Sequence, residues 1–381
     1  MLAKPLKVLH VITGLTDGGA EDSLYQLCIN DRHNVHRVVC LMDAGQYGPR
    51  FDAAGIEVVY LHMPPGRVTF AGLWRLWRTL RELRPDVVQT WMYHANLVGG
   101  VMARLAGVKA ICWGIHNSNL MPGVAKRSTI WVAKACGALS RVVPSRIVSC
   151  SQHAVEVHRQ LRYAAMKFVV VPNGYNLLLL TPDAEARARV RQEWGIDDDM
   201  PLFGMVARFD PLKDHANLIA ALAQLKGLGW DFRCALIGAE VDADNAELVQ
   251  LLEDYGVRGR VLLVGRRNDI PAVMNALDVH VLSSLSEAFP NVLSEAMACG
   301  TPCVSTDVGD AAFIVGDTGW IVPPSDSSAL ADHLAMALDE YSEVPAWQAR
   351  KQRAHQRVVD SFSVQRMIDG YSASWHQACH V

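Results

Sequence analysis

Short runs of β-branched and apolar residues, separated by stretches of helical period, limit what this chain can fold into. In the first half they fall at 8–13, 38–42, 58–62, 87–90, 110–115, 147–151 and 169–171. In the second half they fall at 202–207, 234–237, 261–264, 279–282, 302–305 and 320–322. Most are continuously apolar and do not alternate, which is the pattern of strands covered on both faces. Strands of this kind alternating with helices build parallel sheets. Two such sets in 381 residues predict two doubly wound α/β domains, and ligands of such sheets gather at the strands' carboxyl ends. The seam is expected after Pro172-Asn173-Gly174, before the polar stretch 181–200. We therefore divide the chain into a first domain at 1–172, a second at 173–360, and a C-terminal helix and tail at 361–381. Met367, Ile368, Tyr371 and Trp375 recur at helical spacing in that last segment and predict a helix packed on the body of the protein.

Composition and charge narrow the class. The longest apolar stretch, around 97–115, is broken by Arg104 and Lys109, which argues against a spanning helix. The N-terminal apolar run is short and meets Gly14 and Asp17, so it reads as a first buried strand and not as a signal peptide. The nine cysteines are scattered singly, as in a reduced protein. His376, Cys379 and His380 have metal-ligand spacing but stand at the extreme end, where a frayed tail is expected. The net charge of −3 conceals an asymmetry: residues 1–170 hold 20 Lys and Arg against 10 Asp and Glu, and the remainder 16 against 29. Such halves are suited to different partners, an anionic surface among them for the first.

The richest stretch is Ser283-Ser-Leu-Ser-Glu-Ala-Phe-Pro-Asn-Val-Leu-Ser-Glu-Ala-Met-Ala-Cys-Gly300. It places Glu287 in a loop after a strand and Glu295 in the following helix. Pro290 suits the helix start and Gly300 its left-handed stop, while Val292, Leu293, Ala296 and Met297 are expected to face the core. Amides at such a helix start attract phosphate or polar sugar groups. By themselves the two glutamates fit a helix cap and a surface residue equally well. Arg208 and Lys213 lie in the loop after another strand, where two cations neutralise a diphosphate. Fixed cations there stabilise a departing diphosphate more than its bound precursor. Gly18, Gly19 and Glu21 follow the first strand in a glycine-rich loop; without the GxGxxG fingerprint it fits a plain tight turn as well.

These residues together resemble the large family-4 group of GT-B glycosyltransferases, over essentially the full chain. The family's E-x7-E motif corresponds to Glu287 and Glu295, followed by Ala-Met-Ala-Cys-Gly-Thr-Pro. The resemblance implies that Glu287 contacts the donor sugar and Glu295 the ribose, with Phe289, Pro290, Asn291 and Val292 between them in the nucleotide-sugar site. It makes Arg208 and Lys213 the diphosphate pair and sets Arg266 near the base. Gly18, Gly19 and Glu21 would lie by the donor phosphates and acceptor, and His116 would reach the donor sugar. His94, in Gln89-Thr-Trp-Met-Tyr-His-Ala-Asn96, could face the same cleft as an acceptor residue, though a lone strand-end histidine also fits a structural role. Ala288, Tyr175 and Phe313 depart from the family's usual glycine, aspartate and polar residue, which puts donor identity in doubt more than catalysis.

Two further stretches bear on partners. Asp242-Ala-Asp244 resembles a metal-binding DxD but opens a helix, where acidic residues suit the dipole. Between Arg67 and Arg84, Leu73, Leu76, Trp77, Leu80 and Leu83 form an apolar stripe, with Arg75, Arg78 and Arg81 on another face. That pattern fits core packing with solvated arginines; joined to the basic first half it also fits an anionic membrane surface.

The expectation is a GT-B enzyme with two Rossmann-like domains facing a cleft. It would transfer a hexose or N-acetylhexosamine, with retention and without a metal or other cofactor, from a nucleotide diphosphate sugar, UDP-linked by expectation, to a saccharide acceptor. A lipid-linked acceptor at the inner face of the cytoplasmic membrane fits the basic half; no nucleic acid is implied. A sugar-nucleotide epimerase of the same fold, a soluble transferase with a small acceptor and a silent nucleotide-sugar-binding protein remain as alternatives. A nicotinamide dehydrogenase is the weakest, because the glycine fingerprint is missing.

Overall fold

The computed structural model describes residues 4–16, 18–120 and 125–380; Asp17 of the glycine-rich loop lies outside them. The first part of the chain runs β1 (Lys7–Ile12), α1 (Gly19–Asn30), β2 (Val35–Cys40), α2 (Gly48–Ala53), β3 (Val58–Tyr60), α3 (Phe70–Leu83), β4 (Val87–Trp91), α4 (Met92–Leu105), β5 (Ala110–Ile115), α5 (Arg127–Leu139), β6 (Arg146–Ser149), α6 (Gln152–Gln160) and β7 (Phe168–Val170). The second part runs α7 (Ala184–Trp194), β8 (Leu202–Val206), α8 (His215–Gly227), β9 (Arg233–Ile237), α9 (Ala246–Asp254), β10 (Val261–Gly265), α10 (Ile270–Ala276), β11 (Val279–Leu282), α11 (Asn291–Ala298), β12 (Cys303–Thr306), α12 (Ala311–Val315), β13 (Trp320–Val322), α13 (Ser327–Ser342) and α14 (Val344–Ser361). A last helix, α15 (Val364–Cys379), closes the chain.

Two compact units result: one holds the chain up to Gly174 together with Val364 onward, the other Tyr175–Ser363. Every apolar run predicted above becomes a strand; three match their strands residue for residue and the others have ends displaced by one to a few residues. The first unit has a seven-stranded parallel sheet in the order β3-β2-β1-β4-β5-β6-β7, the second a six-stranded one in the order β10-β9-β8-β11-β12-β13. Chain order reverses between β1 and β4 in the first and between β8 and β11 in the second. At such a reversal the neighbouring loops diverge to opposite sides and open a crevice at the carboxyl ends.

Two readings are corrected. The C-terminus is helical through Cys379 and not frayed, because Met367, Ile368, Tyr371, Trp375 and Ala378 are buried in the first unit's core. The indole of Trp375 also donates to Gln89 Oε1 on β4 (3.1 Å). In α3, Leu76 and Leu80 are buried, but Trp77 is exposed with Trp74. The helix is held by a narrower stripe than its periodicity suggested.

The second unit is clamped by a buried charge cluster at the amino ends of its strands. Asp278, just before β11, takes Arg187 Nη2 at 2.7 Å, Arg191 Nη1 at 3.2 Å and the Leu202 amide at 2.9 Å. Arg191 is fully buried and also donates to the carbonyls of Asp197, Met200 and Ala276. The Asp197–Asp199 run thus keeps its carboxylates near solvent while its backbone receives a buried guanidinium. Removing one partner of a buried pair leaves the other charge uncompensated, at a cost of about 3–5 kcal/mol. We predict that Asp278→Ala lowers the unfolding free energy of this unit, read from urea denaturation, by that order; an unchanged unfolding curve would contradict the clamp.

Candidate active site

In the second unit the loops after β8 and β11, neighbours at the reversal point, are stitched together. The Leu285 amide donates to Leu212 O at 2.8 Å, and Ser283 Oγ lies 2.9 Å from both Lys213 O and Asp214 O. These bonds fix a 3-10 turn at Pro211–Lys213, capped by Asp210. Burial alone would raise the pKa of Asp210; hydrogen bonds from the Leu212 amide and from Arg208 outweigh it and hold the carboxyl below its ordinary range. Asp214 then adopts a left-handed φ of 50° and caps α8.

The turn delivers Lys213 Nζ to within 2.6 Å of Glu287 Oε1, which also accepts from Ser284 Oγ at 2.8 Å. Lys213 and Glu287 are both largely withdrawn from solvent, so their attraction is less screened than that of a surface pair. Arg208 is more exposed and pairs with Asp210 at 3.0 Å. The loop after β12 supports Glu287 from behind. Gly309 has a φ of +57°, and a Cβ there would come within 2.5 Å of Ala288 O and 2.7 Å of Glu287 O. The Asp310 amide donates to Ala288 O. Ala288 thus contributes through its backbone, which its methyl group leaves undisturbed.

Helix α11 begins at Asn291, with Pro290 at the cap position and Glu295 half-buried one turn further on. Leu293, Ala296 and Met297 are buried as expected; Val292 is only partly so. Phe289 packs its ring against Phe362. Tyr175, at the family's usual aspartate, donates its hydroxyl to Asn291 Oδ1 at 2.7 Å. Arg266 is exposed after β10. Buried His215, beside Lys213, has no hydrogen-bond partner for either ring nitrogen among the described residues, and burial lowers its pKa to about 4. Neither Ser283, Asp210 nor His215 was singled out by the sequence; their types are common in loops, and only strand adjacency reveals what they hold.

In the first unit, the loops after β1 and β4 also flank the reversal point. Gly18 caps α1 in extended backbone; a Cβ there would stand 2.6 Å from Glu21 Oε2, so glycine makes room for that carboxylate. Ser23, one turn into α1, lies 2.8 Å from Gly19 O and 3.0 Å from Asn173 Oδ1. After β4 the backbone turns abruptly into α4 with Met92 at a φ of +68°, a strained state for a side-chain-bearing residue. His94 follows in the first turn of α4, half-buried, and burial lowers its pKa.

His116 follows β5. Its ring stacks on Trp91 at 5.0 Å between centroids, and its Nε2 lies 3.2 Å from the Tyr371 hydroxyl of α15. With the hydroxyl as donor, Nε2 accepts. The ring proton then sits on Nδ1, a buried donor without a protein partner. Burial lowers the His116 pKa to about 4, which keeps the ring neutral near pH 7.

Trp91 is itself held by a buried relay. Its indole N–H donates to His10 Nδ1 (3.1 Å), so His10 Nε2–H faces His36 Nδ1 (2.9 Å), and His36 Nε2–H faces Asp31 (3.1 Å). An indole only donates, and this fixes every tautomer in turn. Burial above all drives the His10 pKa well down. His10, Cys28 and His36 are the one metal-ligand-like group among the described residues. Their imidazole lone pairs are already engaged, so the cluster reads as structural.

Both parts of the chain match glycosyltransferase models. The first part matches the model described as glycosyltransferase family 4 over residues 17–177, and the second the model for glycosyl transferases group 1 over residues 186–355. The chain belongs to the family-4 glycosyltransferases and has their GT-B fold. It is 24% identical over 304 residues to an Escherichia coli UDP-Gal:α-D-GlcNAc-diphosphoundecaprenol α-1,3-galactosyltransferase, covering 77% of this chain and 76% of that one. It is 30% identical over 341 residues to the Vi polysaccharide biosynthesis protein VipC/TviE of Salmonella typhi, covering 84% of this chain and 56% of that one. A crystal structure of Alr3699/HepE from Anabaena in complex with UDP superposes with a TM-score of 0.84 at 24% identity, over 97% of this chain and 99% of that one.

The His116 assignment makes a spectroscopic prediction. Nitrogen-15 spectra of histidine-labelled protein are expected to show His116 as the Nδ1–H tautomer, uncharged down to about pH 4. Tyr371→Phe should mix the tautomers; an Nε2–H ring in the unaltered chain would refute the assignment.

Proposed function

We propose that the chain transfers a hexose or N-acetylhexosamine, with retention of configuration and without a metal, from a UDP-sugar to a saccharide acceptor carried on a lipid diphosphate. The observation that carries this reading is the convergence of Lys213, Glu287 and Ser284 at the reversal point of the second sheet, next to the start of α11. A cation and a carboxylate beside a helix start in one crevice match the needs of a diphosphate linked to a polyhydroxy ring. The family membership and the E. coli relative, whose name specifies a UDP-linked donor and a diphosphoundecaprenol-linked acceptor, support the donor and acceptor classes.

In this reading Glu295 binds the ribose hydroxyls and Arg266 lies by the base. Glu287 binds the sugar hydroxyls, and Lys213 and Arg208 take the diphosphate. The diphosphate competes for Lys213 with Glu287 and releases that carboxylate to accept from the sugar. The bond from the anomeric carbon to the phosphate oxygen breaks while the acceptor oxygen bonds to the same face of that carbon. The acceptor's hydroxyl proton passes to the departing phosphate oxygen, and UDP leaves. The two cations supply the countercharge that a divalent ion would otherwise provide, and their contribution grows as the leaving group gains charge. In the first unit, neutral His116 donates Nδ1–H to the sugar, and Gly18, Gly19, Glu21 and His94 serve the phosphates and acceptor.

UDP release from UDP-hexoses and UDP-N-acetylhexosamines, with a polyprenyl diphosphate-linked saccharide as acceptor and EDTA present, tests the reading. Lys213→Ala should lower turnover by about 100-fold or more with the fold intact. Glu295→Ala should weaken UDP binding by about tenfold or more. Unchanged turnover in the first variant would sink the diphosphate role, and unchanged UDP affinity in the second the ribose role. UDP-sugar conversion to an epimer without any acceptor would replace transfer by epimerisation.

A further inference from the structure

The first unit's sheet face beneath α1 and α15 is largely hydrocarbon: Val8, Ile12, Val38 and Val87 meet Leu24 and Leu27 of α1 in one core cluster. His10 stands on that face between Val8 and Ile12, and His36 stands two residues before Val38. Both imidazoles are buried, and Asp31 beside His36 is buried as well. Valine or leucine would fill the histidine positions without the desolvation that two imidazoles and a carboxylate carry. Polar groups at such positions point to a task that packing does not perform.

What they supply is direction. The strand register lays them out as a climb along the sheet. His36 pairs with Val8, His10 follows two residues on, and Trp91 pairs with Ile12, two residues further toward the carboxyl end. At the lower end Asp31 already accepts from the Asn34 side chain and from the His33 and Asn34 amides, and as a carboxylate it only accepts. At the upper end the Trp91 indole N–H only donates. Between a fixed acceptor and a fixed donor, one placement of the ring protons satisfies the Trp91–His10, His10–His36 and His36–Asp31 contacts together.

The orientation so imposed on Trp91 is read on its faces. The indole stacks on His116 with 27° between the planes and on Tyr371 with 24°. Apolar contact lets an indole slide and turn in its pocket, whereas a directed bond from its one polar atom sets the ring plane.

We infer that Asp31, His36 and His10 are positioning residues for sugar transfer, acting through Trp91 to hold the His116 ring at the angle from which it meets the donor sugar. The inference rests on the role proposed for His116 above and adds three residues that the reaction scheme does not use.

Counting protons makes Asp31→Asn the decisive variant. Asp31 Oδ1 accepts from two backbone amides, so the carboxamide keeps its oxygen there and turns its NH2 toward His36. His36 Nε2 must then accept, its proton moves to Nδ1, and His10 follows. That sets His10 Nδ1–H against the Trp91 N–H, and two facing donors break the last bond of the relay.

The experiment is a double-mutant cycle on the full chain, with Asp31→Asn and with Trp91→Phe, which removes the indole N–H. The readouts are UDP release in the transfer assay above, calorimetric UDP affinity and nitrogen-15 spectra of histidine-labelled protein. Asp31→Asn should lower kcat by about tenfold or more, because a misplaced group loses its orientation to the reacting centre. The acceptor KM and the UDP affinity should not change, and the ring-nitrogen signals of His10, His36 and His116 should all shift. In the Trp91→Phe background, with no N–H to misplace, Asp31→Asn should have little further effect on kcat. An Asp31 that only stabilises the turn after α1 would give the same loss in both backgrounds, and that result overturns the inference. Should Asp31→Asn fail to fold, the unaltered chain still decides: a His10 or His36 ring protonated at Nδ1 refutes the relay. Absence of UDP release by the unaltered chain would defeat the proposed reaction instead. The spectra then judge the relay alone, and unshifted His116 signals in Asp31→Asn overturn it.

Discussion

A parallel sheet must send every chain segment back across one of its faces before the next strand can begin, and where the direction of that return changes, two loops part. In the second unit this happens between β8 and β11, and the site's geometry follows from it. The β8 loop carries Lys213, the β11 loop carries Glu287, and their strands are hydrogen-bonded neighbours. What remains is to keep both loops from wandering. Ser283, the Leu285–Leu212 backbone bond and the Gly309 contact do this with neutral groups, which leaves the charged pair available for a ligand. The Asp278–Arg191 cluster secures the opposite end of the same strands.

The first unit solves a different problem with the same topology. Its reversal point between β1 and β4 carries few charges, and orientation is achieved through buried aromatic and imidazole groups. Asp31, His36, His10 and Trp91 pass one hydrogen-bond direction inward, and the Trp91 ring then stacks with His116 and Tyr371. Burial alone would raise the Asp31 pKa. Hydrogen bonds from His36, Asn34 and the His33 amide outweigh that and hold the carboxyl well below its ordinary range, so the relay has a fixed negative end. The depressed pKa values of His116 and His158, both about 4, have a consequence for the whole unit. The unfolded chain binds these protons near pH 6.5 and the folded one only near pH 4. Their contribution to stability is therefore complete above about pH 6.5 and is lost as pH falls toward 4. The C-terminal helix belongs to this apparatus, because Tyr371 supplies the hydroxyl that sets the His116 tautomer.

Much of the fold was legible in the sequence because a doubly covered strand leaves a plain signature: five or six apolar β-branched residues with a turn on either side. Runs 110–115, 279–282 and 320–322 coincide with β5, β11 and β13, and the others differ from their strands only at the ends, where pairing with a neighbour decides the last residue. Trp77 was misplaced for a physical reason. Leucine and tryptophan count alike in a hydrophobic pattern, yet the packing space beneath α3 is filled by Leu76 and Leu80, with Gly72 tight against Met63. The expected fraying of His376, Cys379 and His380 rested on their place at the chain end; buried Trp375 and Ala378 hold the helix there instead. Within the candidate sites, the charged residues stood out by type and by their place after strands. Ser283, Asp210, His10 and Trp91 did not, since their importance lies in partners distant along the chain.

The central claim is that the crevice at β8 and β11 holds a nucleoside diphosphate by fixed cations. Calorimetric titration of the full chain with UDP and with GDP, each in EDTA, addresses it directly. The account predicts metal-free binding of UDP, weaker binding of GDP, and a marked loss of UDP affinity in Lys213→Ala. Absence of binding by both nucleotides, or UDP binding that appears only when a divalent ion is restored, would contradict it.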